Sequence, residues 1–107
     1  MDKQLQKEID FVKESVLQAV PAEAIYLFGS RVDGKPTEDS DLDIYVVVPD
    51  SIENLSELYA DIQGLLRKKT LFPIDLLIAR SHVFNRRKNG PTMEGTIARK
   101  GALLHGT

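Results

Sequence analysis

Apolar residues near the start of the chain fall at Leu5, Ile9, Val12, Val16 and Val20, in alternating steps of four and three. That stripe predicts an amphipathic helix from Asp2 to Val20, stopped by Pro21. The period then changes. "AIYLF", Ala24 to Phe28, is short, continuous and partly aromatic, which predicts a buried strand ending at Gly29. "DLDIYVVV", Asp41 to Val48, is rich in β-branched residues and predicts a second strand closed by Pro49. Between them "SRVDGKPTEDS" carries Gly34 and Pro36 and reads as a turn or a short irregular helix.

Ser51 is the expected N-cap of a second helix, in which Ile52, Leu55, Leu58, Tyr59, Ile62, Leu65 and Leu66 recur at three and four, reaching about Lys69. "PIDLLIA", Pro73 to Ala79, predicts a third strand, apolar on both faces apart from Asp75, as a central strand would be. "RSHVFNRRKNG" lacks periodicity and reads as a basic surface loop. Pro91 to Lys100 is expected to form a short last helix with Gly101 as its stop, and "ALLH" to add a final short strand. The order is that of an α/β fold with a small sheet packed against helices. A connection of about a dozen residues between the first two strands suits parallel or antiparallel neighbours, so the sheet order stays open.

Length and composition narrow the picture. A chain of 107 residues is enough for one compact domain, residues 1–107, and too short for two. A net charge of −2 argues against bulk electrostatic attachment to nucleic acid, so no direct nucleic-acid binding is expected. There are no cysteines, hence no disulfides or thiolate sites. No signal-like or membrane-spanning apolar run occurs, and the expectation is a cytoplasmic protein with no membrane contact.

The chemistry concentrates around two carboxylates. Residues two apart on a strand point to one side, so Asp41 and Asp43 project together while Leu42 and Ile44 face the other way. Two carboxylates this close resist joint ionisation unless a cation sits between them. Asp75 is the one acid in an apolar run, and no basic residue lies in any predicted strand to pair with it. If the second and third strands are neighbours, the three acids converge. Oxygen donors of that kind suit Mg²⁺, which favours a few carboxylates, waters and substrate phosphates. Gly29 and Ser30 supply the complementary half: open backbone N–H groups at a strand end, with a hydroxyl beside them, favour an anion.

Plainer readings account for much of the rest. "DSDLD" places Asp39, Asp41 and Asp43 at calcium-loop positions, but the required glycine is replaced by Ile44 and the twelfth position is Asp50. Asp33, Glu38 and Asp39 read as solvated turn residues, and Gly34 as a turn glycine. His82 and His105 are isolated. The basic stretch with Arg80, Arg86, Arg87 and Lys88 is either solvated surface or a contact for phosphates or an acidic partner.

"GSRVDGKPTEDSDLD", Gly29 to Asp43, resembles the GS-x10-D-x-D signature of the DNA polymerase β nucleotidyltransferase superfamily, in the spacing of its minimal nucleotidyltransferase (MNT) branch. "PIDLL" resembles the strand that carries that family's third carboxylate, and "MEGTIARKGALLHG" is similar to its C-terminal end. The resemblance implies a polymerase-β-like nucleotidyltransferase fold with a small mixed sheet. It also implies Mg²⁺-dependent transfer of a nucleoside monophosphate, AMP from ATP by family habit, to an acceptor hydroxyl. Asp41 and Asp43 would then ligate the nucleotide-bound Mg²⁺, and Asp75 would complete the second metal site and help deprotonate the acceptor. Gly29 and Ser30 would hold the β- and γ-phosphates, with Arg31 reaching the triphosphate. Free-standing MNT proteins are often paired with a helical HEPN protein, as the antitoxin of a type VII toxin–antitoxin pair. The alternatives are an antitoxin that neutralises a HEPN ribonuclease by binding alone, and a subunit of a small-molecule, aminoglycoside-type nucleotidyltransferase. Base preference, acceptor and self-association are not legible.

Overall fold

A computed structural model describes residues 3–33 and 41–106. The chain runs α1 (Lys3–Ala19), β1 (Ala24–Phe28), α2 (Ser30–Asp33), β2 (Leu42–Val48), α3 (Leu55–Leu66), β3 (Ile74–Arg80), α4 (Ser81–Arg87), α5 (Met93–Lys100) and β4 (Ala102–Gly106). The strands form one mixed sheet in the order β3-β2-β1-β4, in which β1 is antiparallel to β2 and β4, and β2 is parallel to β3. The mixed sheet and its helices are the α/β fold expected. Of the stretch expected to be a turn or short helix, Ser30–Asp33 is helical, and Gly34, Glu38, Asp39 and Ser40 lie outside the described residues, as does Asp2.

Alternation along the strands divides the interior in two. On one face Ile25, Leu27, Leu42, Ile44, Val46, Val48 and Leu76 pack under the apolar stripe of α1 (Leu5, Ile9, Val12, Val16) and Leu58, Ile62 and Leu66 of α3. On the other, Ala24, Tyr45 and Val47 meet Phe84 of α4 and Ile97 of α5, with Tyr26, Phe28, Leu77 and Ala79 alongside. β2 is therefore buried on both sides, and Asp43 alone breaks its burial.

Three expectations are corrected. β3 is an edge strand and not a central one. Its apolar faces are explained by cover above and below: Leu76, Ile74 and Ile78 join the α1–α3 core, while Leu77 and Ala79 join the α4–α5 core. Two-faced apolarity reports the layers stacked on a strand and carries no information about its sideways neighbours. Helix α3 starts at Leu55, with the Asn54 side chain accepting from the Glu57 N–H at 3.0 Å, so Ser51 is not the cap. The residues before it serve other bonds: Ile52 N–H donates to the Pro49 carbonyl, and Arg80 donates to the carbonyls of Ile52 and Glu53 at 2.9 and 3.0 Å. The helix ends at Leu66, short of Lys69, and Lys68 takes a left-handed backbone with φ 60°.

The third correction is α4, which occupies most of the stretch expected to be a loop. Seven residues with one buried side chain leave no period to detect. What holds the helix is remote in sequence. Asp50 accepts from the His82 N–H at 2.9 Å and lies 3.0 Å from His82 Nδ1, and these bonds hold its carboxyl below the usual carboxylate range. Phe84 stacks on Tyr26 and meets Tyr45 at a tilt, with centroids 5.6 and 5.5 Å apart.

One buried acid also escaped the apolar periodicity. Glu8 of α1 is buried, and its Oε1 accepts the N–H groups of both Leu71 and Phe72, tying the helix to the segment that leads into β3. Glu8→Ala strands both donors in a part-buried place and is expected to lower unfolding free energy by about 1–3 kcal/mol, read by urea denaturation.

Candidate active site

β2 pairs with β3 so that Asp43 stands opposite Asp75, at the ends of the strands where each begins. Parallel neighbours are about 4.8 Å apart. Both residues belong to the sheet face that carries Tyr45, Val47, Leu77 and Ala79. Helices α4 and α5 cover that face at Phe84 and Ile97, and neither is packed over Asp75, which is exposed. The two carboxyl groups come within hydrogen-bonding reach. Partial burial raises the Asp43 pKa above its ordinary value, and the neighbouring charges of Asp75 and Asp41 raise it further.

The third expected ligand is placed differently. Asp41 is exposed and precedes the first residue of β2, close enough to repel Asp43. Among the described residues no three acidic or histidine side chains gather tightly enough to form a metal-ligand cluster. The structure thus brings together Asp43 and Asp75 and leaves Asp41 at the lip. Two carboxylates still fit Mg²⁺, which commonly takes one or two from the protein and fills its other positions with water and phosphate oxygen.

Gly29 completes the arrangement. β1 runs antiparallel to β2 with Phe28 opposite Asp43, so the next residue meets the Asp43 side chain. Gly29 has φ +80°, and a Cβ built on it would fall 2.1 Å from Asp43 Oδ2. Only glycine allows that approach. Ser30 is exposed at the start of α2. Arg31 places its guanidinium carbon 4.8 Å from the centre of the Phe72 ring, a cation–π contact at the turn before β3.

A polar network not foreseen from the sequence supports this face. Tyr45, two residues beyond Asp43, donates from its hydroxyl to Glu94 Oε2 at 2.9 Å, and Arg87 Nε donates to Glu94 Oε1 at 2.8 Å. Burial pushes the Glu94 carboxyl up, but the bonds from Arg87, from its own backbone N–H and from Tyr45 outweigh it and leave the group below its usual value. Burial and the bond to Glu94 push the Tyr45 phenol well above its ordinary range. The network fastens α5 to β2 and α4. A tyrosine inside an apolar strand was the available signal, since a buried phenol requires a partner. Arg87 is accordingly committed to this network and is not simply solvated surface. Beside Gly29, between the end of β1 and α5, opens a cleft of about 250 Å³ lined by Phe28, Val32, Met93, Thr96, Ile97 and Lys100.

The family model for "Polymerase beta, Nucleotidyltransferase" matches residues 11–105, and the chain belongs to that family. Among solved structures, a chain of the toxin–antitoxin complex MntA–HepT is 22% identical with a TM-score of 0.53, covering 95% of this chain and 73% of its own. A candidate nucleotidyltransferase from Sulfolobus solfataricus is 20% identical with a TM-score of 0.58, covering 99% and 89%. The spectinomycin adenyltransferase AAD(9) from Enterococcus faecialis, solved with ATP and spectinomycin, is 20% identical with a TM-score of 0.63, and the match covers 95% of this chain and 56% of that one. At these identities the likeness is one of fold. No curated protein gives a significant match. No helix among the described residues is long and apolar enough to cross a membrane.

Two outcomes follow from the geometry. Gly29→Ala puts a side chain into a left-handed backbone and into Asp43, so it is expected to lose about 1–3 kcal/mol of stability, measured by denaturant titration. For Asp43 the folded state favours the protonated carboxyl. Without metal its ionisation therefore weakens the fold as pH rises above the ordinary value of 3.8, and has no such effect below it. Metal-free Asp43→Asn should melt a few degrees above wild type at pH 7, with the gap closing at pH 3.

Proposed function

We propose that this chain, as one catalytic domain spanning residues 1–107, transfers AMP from ATP to a hydroxyl on a HEPN-type partner and thereby acts as the antitoxin of a toxin–antitoxin pair. The observation that carries the transferase reading is the side-by-side placement of Asp43 and Asp75, with Gly29 closed against Asp43. Family membership supports the reaction class. The fold likeness to MntA–HepT supports the choice of partner, and that to AAD(9), solved with ATP, supports the choice of donor.

In this reading Asp41, Asp43 and Asp75 would hold Mg²⁺, which would neutralise the charge of the triphosphate and of the leaving pyrophosphate. The backbone N–H of Gly29 and the hydroxyl of Ser30 orient the β- and γ-phosphates, and Arg31 adds positive charge nearby. Asp75, on the exposed edge strand, takes the proton from the acceptor hydroxyl. The acceptor oxygen forms a bond to the α-phosphorus as the bond from that phosphorus to the pyrophosphate oxygen breaks. AMP ends on the acceptor and pyrophosphate departs. A strand edge suits this role, since a macromolecular hydroxyl can approach without entering a closed pocket.

The test is incubation with α-labelled ATP, Mg²⁺ and a HEPN-type helical protein that co-purifies with this chain. Wild type should label the partner, and Asp43→Asn should do so at least about a hundredfold more slowly. Equal labelling by the variant contradicts the site. If the Asp41→Asn/Asp43→Asn double variant still neutralises the toxin fully, binding alone is the antitoxic step.

A further inference from the structure

β3 is paired with β2 on one side and is open on the other. An edge strand points unpaired backbone N–H and C=O groups outward, so natural edges are blunted by charge, proline or a bulge. In β3, Asp75 and Arg80 stand near the two ends, and the stretch between them, Leu76 to Ala79, has none of these devices. Arg80 is also tied down, by its bonds to the carbonyls of Ile52 and Glu53. The unguarded part of the edge therefore starts beside Asp75.

Two hollows lie along it. One, of about 360 Å³, is lined by Leu76, Leu77 and Ile78 together with Leu55, Ser56 and Tyr59 of α3. Successive strand residues point to opposite faces, so a hollow that touches three in a row sits against the edge itself. Tyr59 is 43% exposed in its wall. The other, of about 170 Å³, lies at the start of the strand, where Leu66 and Ile74 meet Gln63, Arg67, Lys68 and Thr70. Arg67, Lys68 and Lys69 are exposed, and among the described residues none of the three is in an ion pair. In a chain of net charge −2 this basic turn is a local exception. Lys68 holds its charge there in a left-handed backbone that glycine would adopt more readily.

We propose that the open edge of β3 docks the acceptor: an extended segment of the partner, outside its helices, joins the sheet as a strand beside β3. The proposal rests on the transferase reading above. Main-chain bonds along the edge supply affinity, and the two hollows read side chains. Alternation then dictates the order of residues. Directly opposed residues on paired strands share a face. The residue across from Asp75 therefore points to the side of the sheet that holds both carboxylates, and it bears the acceptor hydroxyl. Its neighbours point to the α3 side, as Ile74, Leu76 and Ile78 do. The one across from Ile74 meets the basic turn and is acidic. Those across from Leu76 and Ile78 are apolar and fill the trough. The acceptor is thus a serine, threonine or tyrosine between an acidic and an apolar residue, with a second apolar residue two positions further on. The basic turn offsets the repulsion that the carboxylates of the site would exert on such a segment.

The probes are two capped, fluorophore-tagged synthetic peptides, Glu-Ser-Val-Gln-Val-Gln and its reversal, one for each strand direction. Binding to the full-length protein is read by fluorescence anisotropy, and docking by hydrogen exchange of the β3 amides that do not bond β2. Transfer is read as an AMP mass gain with Mg²⁺·ATP. One direction is expected to bind, to slow exchange along β3 and to gain AMP on its serine. Lysine in place of the peptide's glutamate, or Arg67→Glu/Lys68→Glu in the protein, should weaken binding at least about tenfold, and the two reversals together should restore it. Backbone N-methylation of the peptide and Tyr59→Lys should also weaken it, and both protein variants should bind ATP as wild type does. Failure of both peptides to slow β3 exchange, or binding that ignores charge reversal, overturns the docking edge and leaves the transferase reading standing. Exchange along β3 that slows with protein concentration alone gives the edge to a second copy and also overturns the proposal. If the co-purifying partner gains AMP and a docked peptide does not, the acceptor assignment falls; if neither gains it, the transferase reading falls with it.

Discussion

The parallel pairing of β2 with β3 sets Asp43 beside Asp75, and the surroundings of the site answer to that juxtaposition. Two carboxylates on adjacent strands repel each other, and the fold accommodates them by leaving Asp75 exposed and by favouring a protonated Asp43. Such a pair is a liability in an apoprotein. It is kept at the mouth of the sheet, where the face is not roofed by helices, while every other residue of β2 is buried. Gly29 tightens the constraint, because its backbone fills the space beside Asp43 that any larger residue would contest. On the proposed function, a cation and a polyanion together would complete such a site.

The two layers of helices divide the labour. α1 and α3 bury one whole face of the sheet and give the domain its main core. α4 and α5 are shorter, cover only part of the opposite face, and are fastened by polar bonds as much as by packing: Asp50 to His82, Thr92 to Arg87, and Glu94 to Tyr45 and Arg87. Directional bonds of this kind fix where a short helix stops and what it faces. The partial roof leaves both the carboxylates and the neighbouring cleft open.

Much of this was legible in the sequence. The five-membered apolar stripe gave α1, the β-branched run gave β2, and the spacing of Gly29, Ser30, Asp41 and Asp43 pointed to the family and to the fold. Sheet order was not legible, because strand patterning records what lies above and below a strand; β3, apolar on both faces, looked central and lies at the edge. α4 was missed because its cap, Asp50, is 32 positions from the N–H it accepts and its single buried residue sets no period. The site was legible as a set of residue types and less so as geometry. Asp43 and Asp75 meet because the second and third strands are neighbours, the condition the sequence left open. Asp41, expected from its spacing to project with Asp43, stands just ahead of β2, and the approach of Gly29 to Asp43 was not foreseen. Glu8 and Glu94 went unnoticed since a buried acid interrupts an apolar pattern, and each has a partner far off in the chain, Phe72 for Glu8 and Tyr45 for Glu94.

The central claim is that Asp43 and Asp75 form one cation-dependent phosphate site. It is tested most directly by following the side-chain carboxyl ¹³C resonance of Asp43 through a pH titration, first without metal and then with saturating Mg²⁺·ATP. The expected result is a midpoint above the ordinary aspartate value in the metal-free protein, falling below it once Mg²⁺ and nucleotide are bound. A midpoint that starts elevated and does not move on adding Mg²⁺·ATP would contradict the account.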